Sequence, residues 1–331
     1  MKPKILASEA ADILGMTVQG MYKHLKSKKL PHSKMRNRVY FEYDTAKTLF
    51  NHYKAPCKVA VLAFVKGGVG KTTICREVAI RSTLMGKKVL TIEIDHQWNL
   101  TKSFGINPQN IPVLIDLLNN PEININDSIT PVISGLDIIP SRYDNSVLDN
   151  YIMLKALPLK KVLQTKIEPL RKEYDLILID CPPSLGQAVS AAVICSDLII
   201  LPTTPCDFSD SGIETTVREI ERMAINYDIN IPMKIVLNKY DNRENDSYET
   251  LSELIKHKKY GQMLFNCYLR KCKEIEKLRR QHSTVFESTV SSNGREDVDN
   301  FTRELLGMDK KREENSSIVR TNIKEAECLT N

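Results

Sequence analysis

A chain of 331 residues, 42% hydrophobic and 27% charged, is long enough for one large α/β domain and a small satellite, and no apolar run approaches the roughly 20 residues of a membrane span. The first nine residues hold two lysines but no apolar stretch of leader length before Glu9, and the eight cysteines include no Cys-x-x-Cys pair, so a cytoplasmic protein with reduced thiols is expected. The formal charge of +6 is uneven: residues 1–58 carry twelve Lys/Arg against four acids, which is +8 and leaves −2 for the rest, a balance that invites a polyanionic partner such as DNA, although a solvated basic surface would look the same.

Three regions follow in chain order: 1–55, 56–308, and a polar tail at 309–331 without apolar period, expected to be disordered. In the first, Ser8 to Gly15 reads as a short helix capped by Ser8 and ended by Gly15. Met16 and Thr17 make a turn, and Val18 to Lys28 forms a second helix. Leu30 to Tyr43 alternates like a two-stranded wing, and Asp44 caps a third helix. This succession resembles the winged helix-turn-helix of MerR-like regulators. The resemblance implies a recognition helix offering Gln19, Tyr22, Lys23 and Lys26 to a DNA groove, with Lys34, Arg36 and Arg38 on phosphates. A small protein-docking domain is the alternative.

From Lys58 onward, short apolar runs alternate with helical stretches: Val59–Phe64, Val89–Ile94, Leu136–Ile139, Leu176–Ile179, Leu198–Leu201 and Lys234–Leu237. That pattern predicts a doubly wound, mostly parallel sheet covered by helices on both faces. The first run leads into Lys66-Gly67-Gly68-Val69-Gly70-Lys71-Thr72-Thr73 and then into a helix with Ile74, Val78 and Met85 roughly on one face. A glycine-rich turn between strand and helix lets backbone N–H groups curl around phosphates at a helix N-terminus. Lys71 would pair with the β- and γ-phosphates and the Thr72 hydroxyl would ligate Mg²⁺. The general pattern G-x-x-x-x-G-K-[ST] is not met, because Val65 stands where its first glycine belongs.

The string resembles the deviant phosphate loop of the ParA/MinD superfamily, whose signature lysine before the glycines reaches the partner's phosphates in a nucleotide-sandwich dimer. That role falls here on Lys66. Val89 to Leu100 resembles the family's second motif, a strand ending in Asp-x-Asp-Pro-Gln whose last aspartate positions the attacking water. Here that residue is Asp95, with Glu93 in place of the first aspartate and His96 in place of the proline. Tyr174 to Gly186 matches the family's acidic strand and switch loop, and implies that Asp180 holds Mg²⁺ through water. The tail lacks the basic amphipathic helix of membrane-attached relatives, so the resemblance favours ParA over MinD and no membrane partner, and the N-terminal helix-turn-helix resembles the one ahead of the ATPase in the longer plasmid type of ParA. It implies a weak, partner-stimulated ATPase and an ATP-driven homodimer that binds nucleoid DNA nonspecifically. The resemblance further implies that a centromere-bound ParB-type partner triggers hydrolysis, that plasmids or chromosomes are segregated, and that the N-terminal domain represses the protein's own operon through an operator.

Two motifs pull elsewhere. Asn238-Lys239-Tyr240-Asp241 is how many GTPases read guanine, yet four loosely constrained residues recur by chance, and Asn238 is expected to touch the base whichever it is. Arg270 and Lys273 match in position a family segment that grips DNA without sequence preference, or else form a solvated helix face. An ATP-sensing transcriptional regulator with no role in segregation is the competing functional reading.

Overall fold

The computed structural model describes residues 1–53, 55–205 and 212–308; the polar tail considered above lies outside the described residues. At the N-terminus β1 (Ile5–Leu6) leads directly into α1 (Ala7–Leu14), followed by α2 (Val18–Ser27), β2 (Ser33–Met35), β3 (Arg38–Phe41) and α3 (Tyr43–Leu49). The three strands form a small antiparallel sheet in the order β1-β3-β2. Gly15 ends α1 in the left-handed region, as expected, but the start differs. The cap is Leu6, whose N–H donates to Glu9 Oε2 at 3.0 Å, so Glu9 and not Ser8 satisfies that terminus. Thr17 caps α2 by accepting from the Gly20 N–H at 3.0 Å. Asp44 lies in the first turn of α3, after the cap Glu42.

The second region has strands β4 (Lys58–Leu62), β5 (Val89–Glu93), β6 (Thr130–Ile133), β7 (Leu136–Ile139), β8 (Leu176–Asp180), β9 (Leu198–Thr203), β10 (Met233–Tyr240) and β11 (Leu269–Arg270). They build one sheet in the order β11-β10-β9-β4-β8-β5-β7-β6, parallel throughout except for β6 against β7. Side chains alternate cleanly between two apolar layers. Ala60, Leu62, Leu176, Leu178 and Ile200 face one; Val59, Val61, Ile177, Ile179 and Ile199 face the other. The second layer is closed by α6 (Leu114–Asn119), α7 (Leu148–Leu154), α8 (Leu159–Val162), α9 (Gln164–Ile167), α10 (Gln187–Ile194), α11 (Gly212–Tyr227), α12 (Asn245–Lys256) and α13 (Tyr260–Met263). The first is closed by α4 (Lys71–Leu84), α5 (Asn99–Ser103), α14 (Lys273–Arg280) and α15 (Asn293–Leu306), together with the N-terminal elements.

Helix α4 departs from the sequence reading. Instead of one apolar face it is buried on nearly every side, from Ile74 to Leu84. Its outer side is covered by the N-terminal unit, whose Ile5, Ala10, Met21, Leu25 and Phe41 belong to the same continuous core as Ile74, Val78 and Phe301. Residues 1–53 therefore do not close a core of their own. The joint also holds charge. Glu9 pairs with Arg81 at 3.3 Å and Arg295 at 2.6 Å, Arg81 with Asp299 at 2.6 Å, and Arg303 with Asp12 and Asp299. Burial alone would raise the Glu9 carboxyl, but the Arg81 and Arg295 guanidinium groups and the Leu6 N–H outweigh it and bring it down to about 2. Gly86 is where the backbones come closest: at φ +77°, a Cβ there would stand 2.8 Å from the Ala46 carbonyl.

Candidate nucleotide site

The site forms where the strand order reverses, at the carboxyl ends of β4, β8 and β5. Strand β4 delivers the chain into the loop 63–70, and α4 begins at Lys71 with its free N–H groups aimed into the loop. Gly70 sits at φ +97°, and a Cβ there would collide with the Asn238 amide. Only glycine fits that contact. Asn238 Nδ2 donates to the Val69 carbonyl at 2.8 Å, and Lys239 Nζ donates to the Gly68 carbonyl at 2.8 Å. The end of β10 thus braces the phosphate loop from outside, and the Asn238 side chain is used on the loop rather than held open for a base. Asp241 is likewise committed: Arg243 donates to both of its oxygens, at 2.9 and 2.7 Å, and this lowers its pKa. A carboxylate so paired is not set to read guanine.

Lys71 is buried and donates to the Phe64 and Lys66 carbonyls, each at 3.2 Å. Burial lowers its pKa, while Asp180 and Asp95 pull the other way. Lys66 lies at the half-buried rim of the same loop. Asp180 ends β8 and is fully buried, and neither of its carboxylate oxygens has a well-directed hydrogen-bond partner. Burial raises its carboxyl to about 7, against the lowering influence of the nearby Thr72 hydroxyl and Lys71 ammonium. An ionised carboxylate left in this way is costly unless a cation joins it. Among the described residues no group of three or more His, Cys, Asp or Glu could hold an ion. Mg²⁺ takes one or two protein ligands and completes its shell with phosphate and water. Thr72 and Asp180 fit that role.

Asp95 follows β5 and is nearly buried; its Oδ1 accepts the Gln97 N–H at 3.0 Å. Glu93, which occupies the place of the motif's first aspartate, does structural work that sequence reasoning missed. It accepts from the Leu100 and Thr101 N–H groups, both at 2.8 Å, and from the Thr101 hydroxyl at 2.6 Å, and so pins the start of α5. Burial raises its carboxyl to about 8, with Asp180 across the adjacent strand adding to the rise. Its signal in the sequence was only its two-residue spacing from Asp95.

The DNA-facing expectations divide. Gln19, Lys23 and Lys26 are exposed along α2 and Tyr22 is half-buried, while Lys34 and Arg36 are exposed on the β2–β3 hairpin. Arg38 donates to the Thr289 carbonyl. Arg270 requires a correction: its guanidinium is held by Asp297, at 2.5 Å, and by Glu296, at 3.0 Å, so it is paired within the fold and not presented to phosphate. Lys273 is exposed, as are Lys277 and Arg280 at the i+4 and i+7 positions of the same helix.

The sequence profile of a family described as an AAA domain matches residues 57–235, the stretch that holds Lys66, Lys71, Asp95 and Asp180. A virulence plasmid ParA family protein of Chlamydia psittaci is 29% identical over 255 residues, covering 75% of this chain and 94% of the relative. The chain belongs to the ParA family. An uncharacterised protein of Methanocaldococcus jannaschii is 30% identical to this ParA-family chain over 240 residues, 69% of it and 90% of the relative. Among solved structures, a plasmid partition protein of Borrelia burgdorferi bound to AMPPNP superposes with a TM-score of 0.62 over 76% of this chain and 98% of that one. Its identity is 22%, so that likeness is one of fold. No described helix is long and apolar enough to cross a membrane.

Proposed function

We propose that this ParA-family protein is an ATP-driven partition switch for a plasmid or chromosome. The observation that carries the reading is Asp180: a fully buried carboxylate without a well-directed hydrogen-bond partner, beside Lys71 and Thr72 at the phosphate loop. Mg²⁺ bound with ATP would neutralise the phosphates and polarise the terminal one. Lys71 lies ready to exchange two backbone carbonyls for phosphate oxygens, and Thr72 and Asp180 hold the ion, Asp180 through water. Lys66, at the rim, reaches the nucleotide of a second copy in an ATP-closed homodimer. Asp95 orients the attacking water. Hydrolysis is weak until a ParB-type centromere-binding partner stimulates it.

The exposed Lys273, Lys277 and Arg280 supply the sequence-independent DNA contact of the dimer in place of Arg270, and place the protein on the nucleoid in the cytoplasm. Gln19, Tyr22, Lys23 and Lys26 on α2 read an operator, with Lys34, Arg36 and Arg38 on its phosphates. The test is nucleotide titration with and without Mg²⁺: wild type binds ATP more tightly with the ion, and Asp180→Ala loses that difference. An affinity for ATP that ignores Mg²⁺ in the wild type would falsify the assignment of Asp180.

A further inference from the structure

In the family's motif a proline follows the water-positioning aspartate and stiffens the backbone there, because its ring fixes φ. This chain has His96 at that position, so the loop 95–98 must be held by other means. Within the loop, Asp95 accepts from Gln97, and the Trp98 N–H donates to the Asp95 carbonyl at 3.0 Å. Trp98 adopts φ +46°, a conformation disfavoured for a bulky residue, with Lys102 Nζ lying 4.0 Å over its ring. His96 Nδ1 faces Asp95 Oδ1 at 3.9 Å, and its Nε2 lies 3.0 Å from the Gln97 amide. The imidazole and the Tyr143 ring stand nearly perpendicular, at 81° and a centroid separation of 6.1 Å.

Tyr143 is itself well placed to act as a stop. It opens a 3-10 turn, Tyr143–Val147, whose Asn145 donates to Ser141 Oγ at 2.8 Å and accepts from the Ile115 N–H at 3.1 Å. Ser141 in turn donates its N–H to Thr101 Oγ1 at 3.1 Å, the same hydroxyl that Glu93 holds. The loop and the turn are therefore anchored to one buried node, and the His96–Tyr143 contact spans a fixed gap between them. Tyr143 as a whole is 71% exposed.

We propose that His96 is a positioning residue for Asp95, braced on the ring of Tyr143, and that this side-chain brace takes the place of the motif's proline. The inference rests on the assignment of Asp95 as the residue that orients water. An edge-to-face ring pair is a weak contact, enough to bias the orientation of one loop without supporting the fold. Unlike a proline, the brace can be altered from outside through Tyr143.

The experiment is a double-mutant cycle on the full chain, measuring ATP affinity and single-turnover hydrolysis for wild type, Tyr143→Ala, His96→Pro and the pair. Tyr143→Ala is expected to slow hydrolysis about fivefold while ATP affinity stays within about twofold. In the His96→Pro background the same truncation is silent, because the backbone no longer needs the ring. Trp98 is the chain's one tryptophan, so its fluorescence reports the loop: Tyr143→Ala shifts it in the wild-type background and not in the proline one. Should His96→Pro fail to fold, His96→Ala serves as the second background, where Tyr143→Ala must again be silent. Equal losses in both backgrounds, or a loss confined to ATP affinity, overturn the brace. Asp95→Ala is the control: if that variant hydrolyses ATP at the wild-type rate, the assignment of Asp95 fails and the brace falls with it.

Discussion

Helix α4 has buried charge at both ends, and the two ends are built differently. At its C-terminal half, Arg81 has carboxylates of Glu9 and Asp299 within ion-pair reach, and Arg295 and Arg303 complete the set. At its N-terminus, Lys71 borrows backbone carbonyls, and Asp180 has no well-directed hydrogen-bond partner, with only the Thr72 hydroxyl and the Lys71 ammonium to offset its burial. Buried ionic groups that are fully matched hold two parts of a protein in one arrangement; groups left unmatched await something that is not part of the chain. The joint and the site thus differ in what meets the buried charge: carboxylates face guanidinium groups at the joint, whereas Asp180 faces a hydroxyl and an ammonium that already serves two carbonyls.

The comparison can be broken most severely by removing residues 1–55. Were they an appended domain, the remainder would fold and lose only the contacts of α2. Because they cover α4 and share its core, the deletion should instead abolish cooperative unfolding and soluble expression, as urea titration and sedimentation would show. Next in size is Glu9→Gln, which leaves Arg81 and Arg295 short of charge and should cost about 3 kcal/mol. The same pair has a pH signature. With the Glu9 carboxyl lowered from 4.5 to about 2, its stabilisation is complete above about pH 4.5 and disappears as the pH falls toward about 2. Acid titration of the wild type against Glu9→Gln should show the two stabilities converging in that window.

The mirror experiment at the other end has the opposite sign. Asp180→Asn removes an ionised carboxylate that burial disfavours, so above about pH 7 the nucleotide-free protein should gain about 1–3 kcal/mol while losing Mg²⁺-dependent ATP binding. A loss of stability in Asp180→Asn would show that the carboxylate is matched after all. The smallest effect concerns the base. With Asp241 tied to Arg243, ATP should bind about tenfold tighter than GTP, a gap of about 1.4 kcal/mol. Competition between the two nucleotides measures it, and equal affinities would return Asp241 to a reading role.

The site was largely legible because its parts are local. Lys66 to Thr73 is one continuous loop-to-helix segment, and Asp95 and Asp180 each end a short apolar run, so spacing along the chain carries most of the geometry. Six strands were likewise legible as apolar runs. The edge strands β6 and β11 were not, since the first contains Pro131 and the second is two residues long; edge positions tolerate both. What sequence could not show is pairing at a distance. Glu9 meets Arg295 across 286 residues, and Arg270 reads as a free cation until Asp297 is folded against it. The expected apolar face of α4 failed for the same reason, because a helix covered on all sides mixes apolar residues with arginines that find partners elsewhere.

One consequence of α4 being shared concerns equilibria rather than contacts. The helix carries Lys71 in its first turn and Arg81 in its last, so the phosphate loop and the N-terminal unit move against a common rigid element. Whatever factor a nucleotide imposes on the affinity of α2 for its ligand, that ligand must impose on the affinity for the nucleotide. An occupied operator would then act as an effector of the ATP cycle, and the two properties would have to be measured as one linked system.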